Sequence, residues 1–186
     1  IADQQEDYGE PAQAPANEAP TSAEVQERMP WQAWSEVPEE PAAGPWFLEV
    51  FAGTARLTMA VLANTVLCVL PPIDFLESEF LQKSFDVLNS PHVPKVLKWL
   101  ASGMVIALHF GSPCTTFSVA RKWDGGPPPL RSRDHLYGLP GLAMRDAHKV
   151  HEGNAFLRLT ADRIRGCPSR TLWSLENPAL SMLWQT

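Results

Sequence analysis

The sequence predicts an α/β fold built on a mostly parallel sheet with helices on both faces. Three apolar runs, each followed by a distinctive turn, carry this prediction. Residues 47–52 lead into a glycine turn, residues 104–110 lead into Pro-Cys, and residues 171–175 lead into Glu-Asn. Helical patterns lie between these runs at residues 55–64, 91–101 and 141–165. Strands that alternate with helices along a chain form parallel sheets.

The chain divides at about residue 45 into an acidic tail and a folded domain. Residues 1–45 hold ten acidic side chains, one arginine and seven prolines. Such a segment cannot bury enough apolar surface to offset its ordering entropy, so we predict that residues 1–45 are disordered and residues 46–186 are folded. The whole chain carries a charge of −6 and the tail −9, which leaves +3 on residues 46–186. A mildly basic domain is compatible with binding nucleic acid.

The cysteine content indicates a reducing, intracellular compartment. The chain has three cysteines, Cys68, Cys114 and Cys167, which are too few and too scattered for a disulfide framework or a zinc site. We therefore expect no bound metal. No apolar run reaches the roughly 18–20 residues of a membrane helix, so we expect no association with a membrane either.

The first predicted strand leads into a turn that suits an anion. Residues 47–52 are apolar apart from Glu49, Gly53 and Thr54 form the turn, and residues 55–64 predict a buried helix. Free backbone N–H groups and the helix dipole attract an anion at such a turn. An ordinary strand-to-helix turn explains the same residues equally well.

Two aspartates follow at spacings that favour a cofactor. Asp74 comes just after the predicted strand 66–70, about 20 residues beyond Gly53, which suits a ribose diol. Asp86 lies in a third predicted strand, residues 84–88, after a short predicted helix at 75–83. Either aspartate alone is typical of a solvated turn or a helix cap. The presence of both aspartates in register with Gly53 favours a bound cofactor.

The segment 111–118 (Gly-Ser-Pro-Cys-Thr-Thr-Phe-Ser) contains the best candidate nucleophile. Cys114 follows the predicted strand 104–110, and open α/β sheets place their chemistry beyond the carboxyl ends of strands. A free cysteine at a strand end is also commonly a small packing residue. A cysteine hydrolase is poorly supported, because no motif places a histidine to activate Cys114.

Four cations surround a flexible loop close to this segment. Arg121, Lys122, Arg131 and Arg133 flank residues 125–129, Gly-Gly-Pro-Pro-Pro, in which no helix or ladder can form. Such an arrangement suits a phosphate backbone. A solvated loop with scattered charge is an equally good interpretation.

Together these motifs resemble the cytosine-C5 methyltransferases that use S-adenosylmethionine. The family's loop is typically Pro-Pro-Cys-Gln-x-Phe-Ser, and residues 112–118 match it at the Pro-Cys pair, Phe117 and Ser118, with Thr115 in place of glutamine. Its Glu-Asn-Val becomes Glu-Asn-Pro at residues 176–178, and its second turn glycine becomes Ala55. The resemblance covers about residues 46–184 and extends to residues 130–139. It implies a Rossmann-like class I methyltransferase fold.

The resemblance also implies roles for individual residues and a partner. It makes Cys114 the nucleophile that adds to cytosine C6 and Glu176 the acid that faces ring N3. It implies nucleic acid as substrate, with DNA favoured and RNA as the alternative, and a nuclear location in a eukaryote. The cofactor residues that it implies are Glu49, Phe51, Gly53, Thr54, Asp74, Asp86 and Pro113, and the substrate-binding residues are Ser118, Arg121, Lys122, Arg131 and Asn177.

The same resemblance predicts a divergent and C-terminally incomplete member of this class. The family needs a later Gln-x-Arg-x-Arg element, a target-recognition domain and a segment that closes the cofactor pocket, and none lies within the 186 residues. The alternative interpretation is a non-catalytic, degenerate Rossmann-like module of a larger polyprotein. The acidic tail favours that alternative.

Overall fold

The computed structural model describes residues 21–29, 44–74, 93–121 and 125–186. The predicted helix 75–83, the predicted strand 84–88 with Asp86, and Lys122 lie outside the described residues. The elements are α1 (Ser22–Arg28), β1 (Trp46–Val50), α2 (Arg56–Asn64), β2 (Cys68–Val69), α3 (Val93–Ser102), β3 (Val105–Phe110), α4 (Met144–Gly166), β4 (Leu172–Leu175) and a 3-10 helix (Met182–Gln185).

The four strands form one sheet in the order β2-β1-β3-β4, and every neighbouring pair is parallel. The predicted α/β class and parallel sheet are therefore confirmed. Because the strands are parallel, the glycine turn, the Pro-Cys segment and the Glu-Asn turn all leave the same edge of the sheet. The chain winds from β1 outward to β2, then returns to the other side of β1 to form β3. This reversal makes a topological switch point between β1 and β3, where open α/β sheets place their ligands.

Helices pack on both faces of β1, whereas Leu172 and Trp173 of the edge strand β4 are exposed. On one face, Phe47 of β1 and Val69 of β2 form a buried cluster with Leu62 of α2. On the other face, the larger cluster joins Leu48 and Phe110 of the sheet to residues of α3 and α4. From α3 the cluster takes Val96, Trp99 and Leu100, and from α4 it takes Phe156. Burial of this apolar surface, at about 25 cal/mol per Å², is the main force that holds the layers together.

The tail prediction needs correction at residues 21–29. Residues Ser22–Arg28 form helix α1 rather than disordered chain, and Met29 is buried beside Phe47 and Leu62. Arg28 donates hydrogen bonds to the carbonyl oxygens of Thr65 and Leu67. An apolar anchor and a guanidinium that caps the end of α2 together offset the entropy of ordering this short segment.

Two elements in the last third of the chain are the 3-10 helix and α4. Residues Met182–Gln185 form a 3-10 turn, whose first N–H donates to the carbonyl oxygen of Phe117. The predicted long helix 141–165 is confirmed as α4, although it begins at Met144. Gly153 and Asn154 in its middle stay helical and are buried. Gly153 lies close to Thr116, two residues beyond Cys114, and to Arg131, which Asn154 also contacts.

Candidate functional site at the carboxyl edge of the sheet

Cys114 lies in a loop, residues 111–118, that leaves the end of β3; we call it the Cys114 loop. The N–H groups of Phe117 and Ser118 both donate to the carbonyl oxygen of Cys114, at 2.9 Å each. This makes a single tight turn directly after the cysteine. Pro113 and Cys114 are half-buried, so the thiol is partly open to solvent.

The Glu-Asn turn lies directly against this loop. The N–H of Glu176 donates to the carbonyl oxygen of Phe110 at 2.8 Å. The Nδ2 of Asn177 donates to the carbonyl oxygen of Ser112, also at 2.8 Å. The side chain of Glu176 is exposed at the same edge. The structure thus brings the predicted nucleophile and the predicted acid onto two adjacent loops joined by a side-chain hydrogen bond.

Asn177 acts here as a link between loops. Its Oδ1 is buried and has no hydrogen-bond partner among the described residues. The orientation of the amide is fixed, because turning it over would place two oxygen atoms against each other at Ser112. A buried acceptor without a partner has a free-energy cost. A water molecule or a ligand that donates a hydrogen bond to Asn177 Oδ1 would remove this cost.

The glycine turn has an unusual backbone. Phe51, Gly53 and Ala55 have φ angles of 60°, 55° and 54°, which is the left-handed region. Only glycine adopts this region without strain, so Phe51 and Ala55 are held there by their surroundings. Gly53 donates its N–H to Asp74 Oδ2 at 2.5 Å. Asp74 is 4% exposed, so it holds the turn by a hydrogen bond from the buried side.

Glu49 closes the start of α2. Helix α2 has Ala55 at its N-cap and therefore lacks a capping side chain of its own. Glu49 Oε2 instead accepts from the Thr58 N–H at 2.8 Å and from the Thr58 hydroxyl at 2.5 Å. A carboxylate at this position satisfies a free N–H and interacts well with the helix dipole. The residue implied as a cofactor ligand therefore has a structural role.

Phe51 also has a packing role. Its ring meets that of Phe156 edge to face, with centroids 5.1 Å apart, and it is buried in the larger cluster. Gly111 lies next to it: a Cβ added there would come within 2.8 Å of the Phe51 carbonyl oxygen. The exits of β1 and β3 therefore approach closely at the switch point, and a glycine is needed for that approach.

Of the predicted substrate-binding residues, Arg121 and Ser118 lie at the Cys114 loop. Arg121 Nε donates to the carbonyl oxygen of Thr115 at 3.0 Å, and its Nη1 donates to that of Pro128 at 2.9 Å. It therefore ties the Cys114 loop to the Gly/Pro loop and keeps a positive charge there. Ser118 Oγ accepts from the N–H of Ala120 at 3.1 Å.

The role expected for Arg131 needs correction. Arg131 is 1% exposed, so its guanidinium is enclosed by protein and does not face a phosphate backbone. Burial lowers the pKa of this arginine to about 10. In the sequence, a buried arginine beside a Gly/Pro loop cannot be distinguished from an exposed one. Only the tertiary packing shows that Arg131 lies inside the protein.

Further polar side chains hold the Cys114 loop, and these contacts were not predicted from the sequence. Ser112 Oγ lies 3.2 Å from the hydroxyl of Thr160 on α4, and both groups are buried. Thr116 and Asn154 contact Arg131. The only signal for these contacts in the sequence was the presence of polar residues at positions of an amphipathic helix that should be buried. A buried hydroxyl or amide needs a hydrogen-bond partner.

The other two cysteines pack against the larger cluster from its border. Burial raises the pKa of the Cys167 thiol, and the nearby charge of Arg163 opposes this with a smaller effect. Among the described residues there is no group of three or more His, Cys, Asp or Glu side chains placed to hold a metal ion. The described helices include none that is both long and apolar enough to cross a membrane.

Comparison with family models, curated proteins and solved structures found no match to this chain. The resemblance to cytosine-C5 methyltransferases therefore remains a prediction from the motifs.

Proposed function

We propose that this protein transfers a methyl group from S-adenosylmethionine to C5 of cytosine in DNA, with Cys114 as a covalent nucleophile. The observation that carries the proposal is the pairing of the Cys114 loop with the Glu-Asn turn. Asn177 bonds Ser112, and Glu176 bonds the end of β3, so a thiol and a carboxyl group share one edge of the sheet. This chemistry needs both groups around one base.

The proposed reaction assigns a step to each group. The Cys114 thiolate forms an S–C6 bond, and the electron pair of the C5–C6 double bond moves to C5. Glu176 stabilises the ring at N3 while this charge develops. When bound, S-adenosylmethionine would supply the methyl group, which the electron pair at C5 would take up as the sulfonium–methyl bond breaks and S-adenosylhomocysteine is left. Loss of the C5 proton to water restores the double bond, breaks the S–C6 bond and returns the Cys114 thiolate.

The glycine turn offers part of a cofactor site. Gly53 and Thr54 are exposed, and a Cβ added at Gly53 would meet nothing within 4 Å. The N–H groups of Arg56 and Leu57, in the first turn of α2, have no acceptor among the described residues. Two free N–H groups at a helix N-terminus suit the methionine carboxylate of the cofactor.

DNA is the proposed partner at the exposed side of this edge. Arg121 stays partly exposed where the Cys114 loop meets the Gly/Pro loop. Arg133 is exposed beyond the same loop. A cation at this position suits a phosphate next to a base that enters the site.

One observation favours the second candidate, a non-catalytic Rossmann-like module. Asp74 already occupies the N–H of Gly53, and Glu49 already occupies that of Thr58. Two of the acids that would hold the cofactor are therefore satisfied within the chain. Covalent trapping of the protein on DNA that contains 5-fluorocytosine separates the two candidates, because only the enzyme forms an adduct.

A further inference from the structure

Arg131 makes the densest set of polar contacts around the Cys114 loop. Its Nη1 donates to the carbonyl oxygen of Leu136 at 2.6 Å and to Asn154 Oδ1 at 2.7 Å. Its Nη2 donates to Thr116 Oγ1 at 2.9 Å and to the carbonyl oxygen of Val150 at 3.3 Å. Its Nε donates to the carbonyl oxygen and hydroxyl of Thr116, at 3.2 and 3.3 Å. All of these acceptors are neutral.

The guanidinium also covers an aromatic ring of the same loop. Its central carbon lies 3.7 Å from the centre of the Phe117 ring, which is close enough for a cation–π interaction. Thr116 and Phe117 are the second and third residues after Cys114. Arg131 therefore fixes the backbone and the side chains immediately beyond the cysteine.

The surface of α4 is shaped to receive this arrangement. A Cβ added at Gly153 would lie 2.6 Å from Thr116 Oγ1 and 3.1 Å from Arg131 Nη2. Only a residue without a side chain lets the loop and the guanidinium approach the helix this closely. On the other side of the cysteine, Ser112 is held by Thr160 of α4. Cys114 thus lies between two anchored points on one helix.

We propose that Arg131 is a positioning residue, which holds the Cys114 loop against α4 in the orientation that presents the thiol. The importance of that orientation for catalysis rests on the function proposed above. A buried charge without a carboxylate partner is expensive, and apolar residues in such places are often more stable. What an arginine adds is geometry: five N–H donors in one rigid plane can join several chain segments at once.

Lysine cannot reproduce this geometry. Its ammonium is a point charge on a flexible stem, so it cannot bond Thr116, Leu136 and Asn154 together while it stacks on Phe117. Arg131→Lys therefore keeps the charge and removes the fork. Thr116→Val is a milder change, because it removes only the hydroxyl that accepts from Nε and Nη2.

The test measures how fast iodoacetamide alkylates Cys114 in the native 186-residue protein, by peptide mass spectrometry. Cys68 and Cys167 of the same molecule serve as internal references, and melting temperature is recorded for every variant. We expect Arg131→Lys to raise the rate at Cys114, relative to the other two cysteines, by about tenfold, because the loop opens locally more often. Arg158→Lys, an exposed change on α4, should leave the ratio unaltered.

A lower melting temperature with an unaltered ratio would overturn the proposal, because Arg131 would then stabilise the fold alone. An equal rise at all three cysteines would overturn it as well. If Arg131→Lys does not fold, Thr116→Val decides: a selective rise at Cys114 supports the proposal, and no rise contradicts it. The assay needs neither DNA nor cofactor, so its outcome is independent of whether the protein traps 5-fluorocytosine.

Discussion

The Nδ2 of Asn177 donates a hydrogen bond to the carbonyl oxygen of Ser112 over 2.8 Å. These residues are far apart in sequence and belong to the exits of two adjacent strands, β4 and β3. Their hydrogen bond joins the Cys114 loop to the turn that carries Glu176. Among the described residues, Cys114 is the only cysteine at this edge of the sheet. The proposed chemistry depends on this connection, since a thiol and an acid must face one base together.

Loss of this link should loosen the Cys114 loop. Asn177→Ala removes the hydrogen bond to Ser112, which we expect to cost about 1 kcal/mol, or about 2–4 °C in melting temperature for a chain of this length. Alkylation of Cys114 should also accelerate. The matched control is Asn64→Ala, since Asn64 also bonds a backbone carbonyl but is exposed on α2. Equal effects of the two substitutions would contradict a special role for Asn177.

Glu49 should matter for stability in the absence of any ligand. Glu49→Ala leaves the N–H and hydroxyl of Thr58 without their acceptor, and we expect a loss of about 2–3 kcal/mol in the free energy of unfolding. Glu49→Gln keeps an oxygen at the same place and should lose less than half as much. Chemical denaturation measures both, with the exposed Glu152→Ala as control. Wild-type stability of Glu49→Ala would show that the cap is unimportant.

The docking of residues 21–29 gives a deletion test. Removal of residues 1–20 should leave the melting temperature unchanged, whereas removal of residues 1–43 should lower it by several degrees, because Met29 and Arg28 leave their sites. Met29→Ala in the complete chain should cost about 2 kcal/mol, as for a buried methionine truncated to alanine. The exposed Glu27→Ala is the control. A deletion of 1–43 without effect would mean that α1 adds nothing to stability.

Cofactor binding can be measured directly by calorimetry. We expect S-adenosylmethionine to bind weakly at millimolar concentration, with the carboxylate at the free N–H groups of Arg56 and Leu57. Asp74→Ala should weaken binding further because it releases the N–H of Gly53 and lets the turn move. Asp86→Ala, which removes a cofactor residue implied by the resemblance, should do the same, and the exposed Asp134→Ala should not. The absence of heat from the wild-type protein would favour the non-catalytic module.

The alternation of apolar runs and helical stripes was sufficient to predict the sheet. Val105–Phe110 and Trp46–Val50 are mostly buried, and strands with helices on both faces read as continuous apolar runs in the sequence. The polar residues that follow such runs must collect at one edge, so the neighbourhood of Cys114 and Glu176 was predictable. The long helix α4 followed from the same pattern, whereas the order of the strands in the sheet did not.

The roles of the charged residues were less predictable, because exposure is decided by tertiary contacts. Arg131 resembles its neighbours Arg121 and Arg133 in sequence, yet it is buried. Met29 follows an acidic helix with no apolar periodicity, so nothing local indicated that it docks. Glu49 could have been anticipated in part: with Ala55 at the N-cap, helix α2 needs an acceptor from elsewhere.

The most direct test of the proposed function is covalent trapping on DNA that contains 5-fluorocytosine in the presence of S-adenosylmethionine. Fluorine at C5 cannot leave as a proton does, so the S–C6 bond persists and the adduct survives denaturing electrophoresis. We expect Cys114→Ser to abolish the adduct, Glu176→Gln to slow its formation, and Cys68→Ser and Cys167→Ser to leave it intact. An adduct that persists in Cys114→Ser, or no adduct with the full-length protein, would contradict the proposed function.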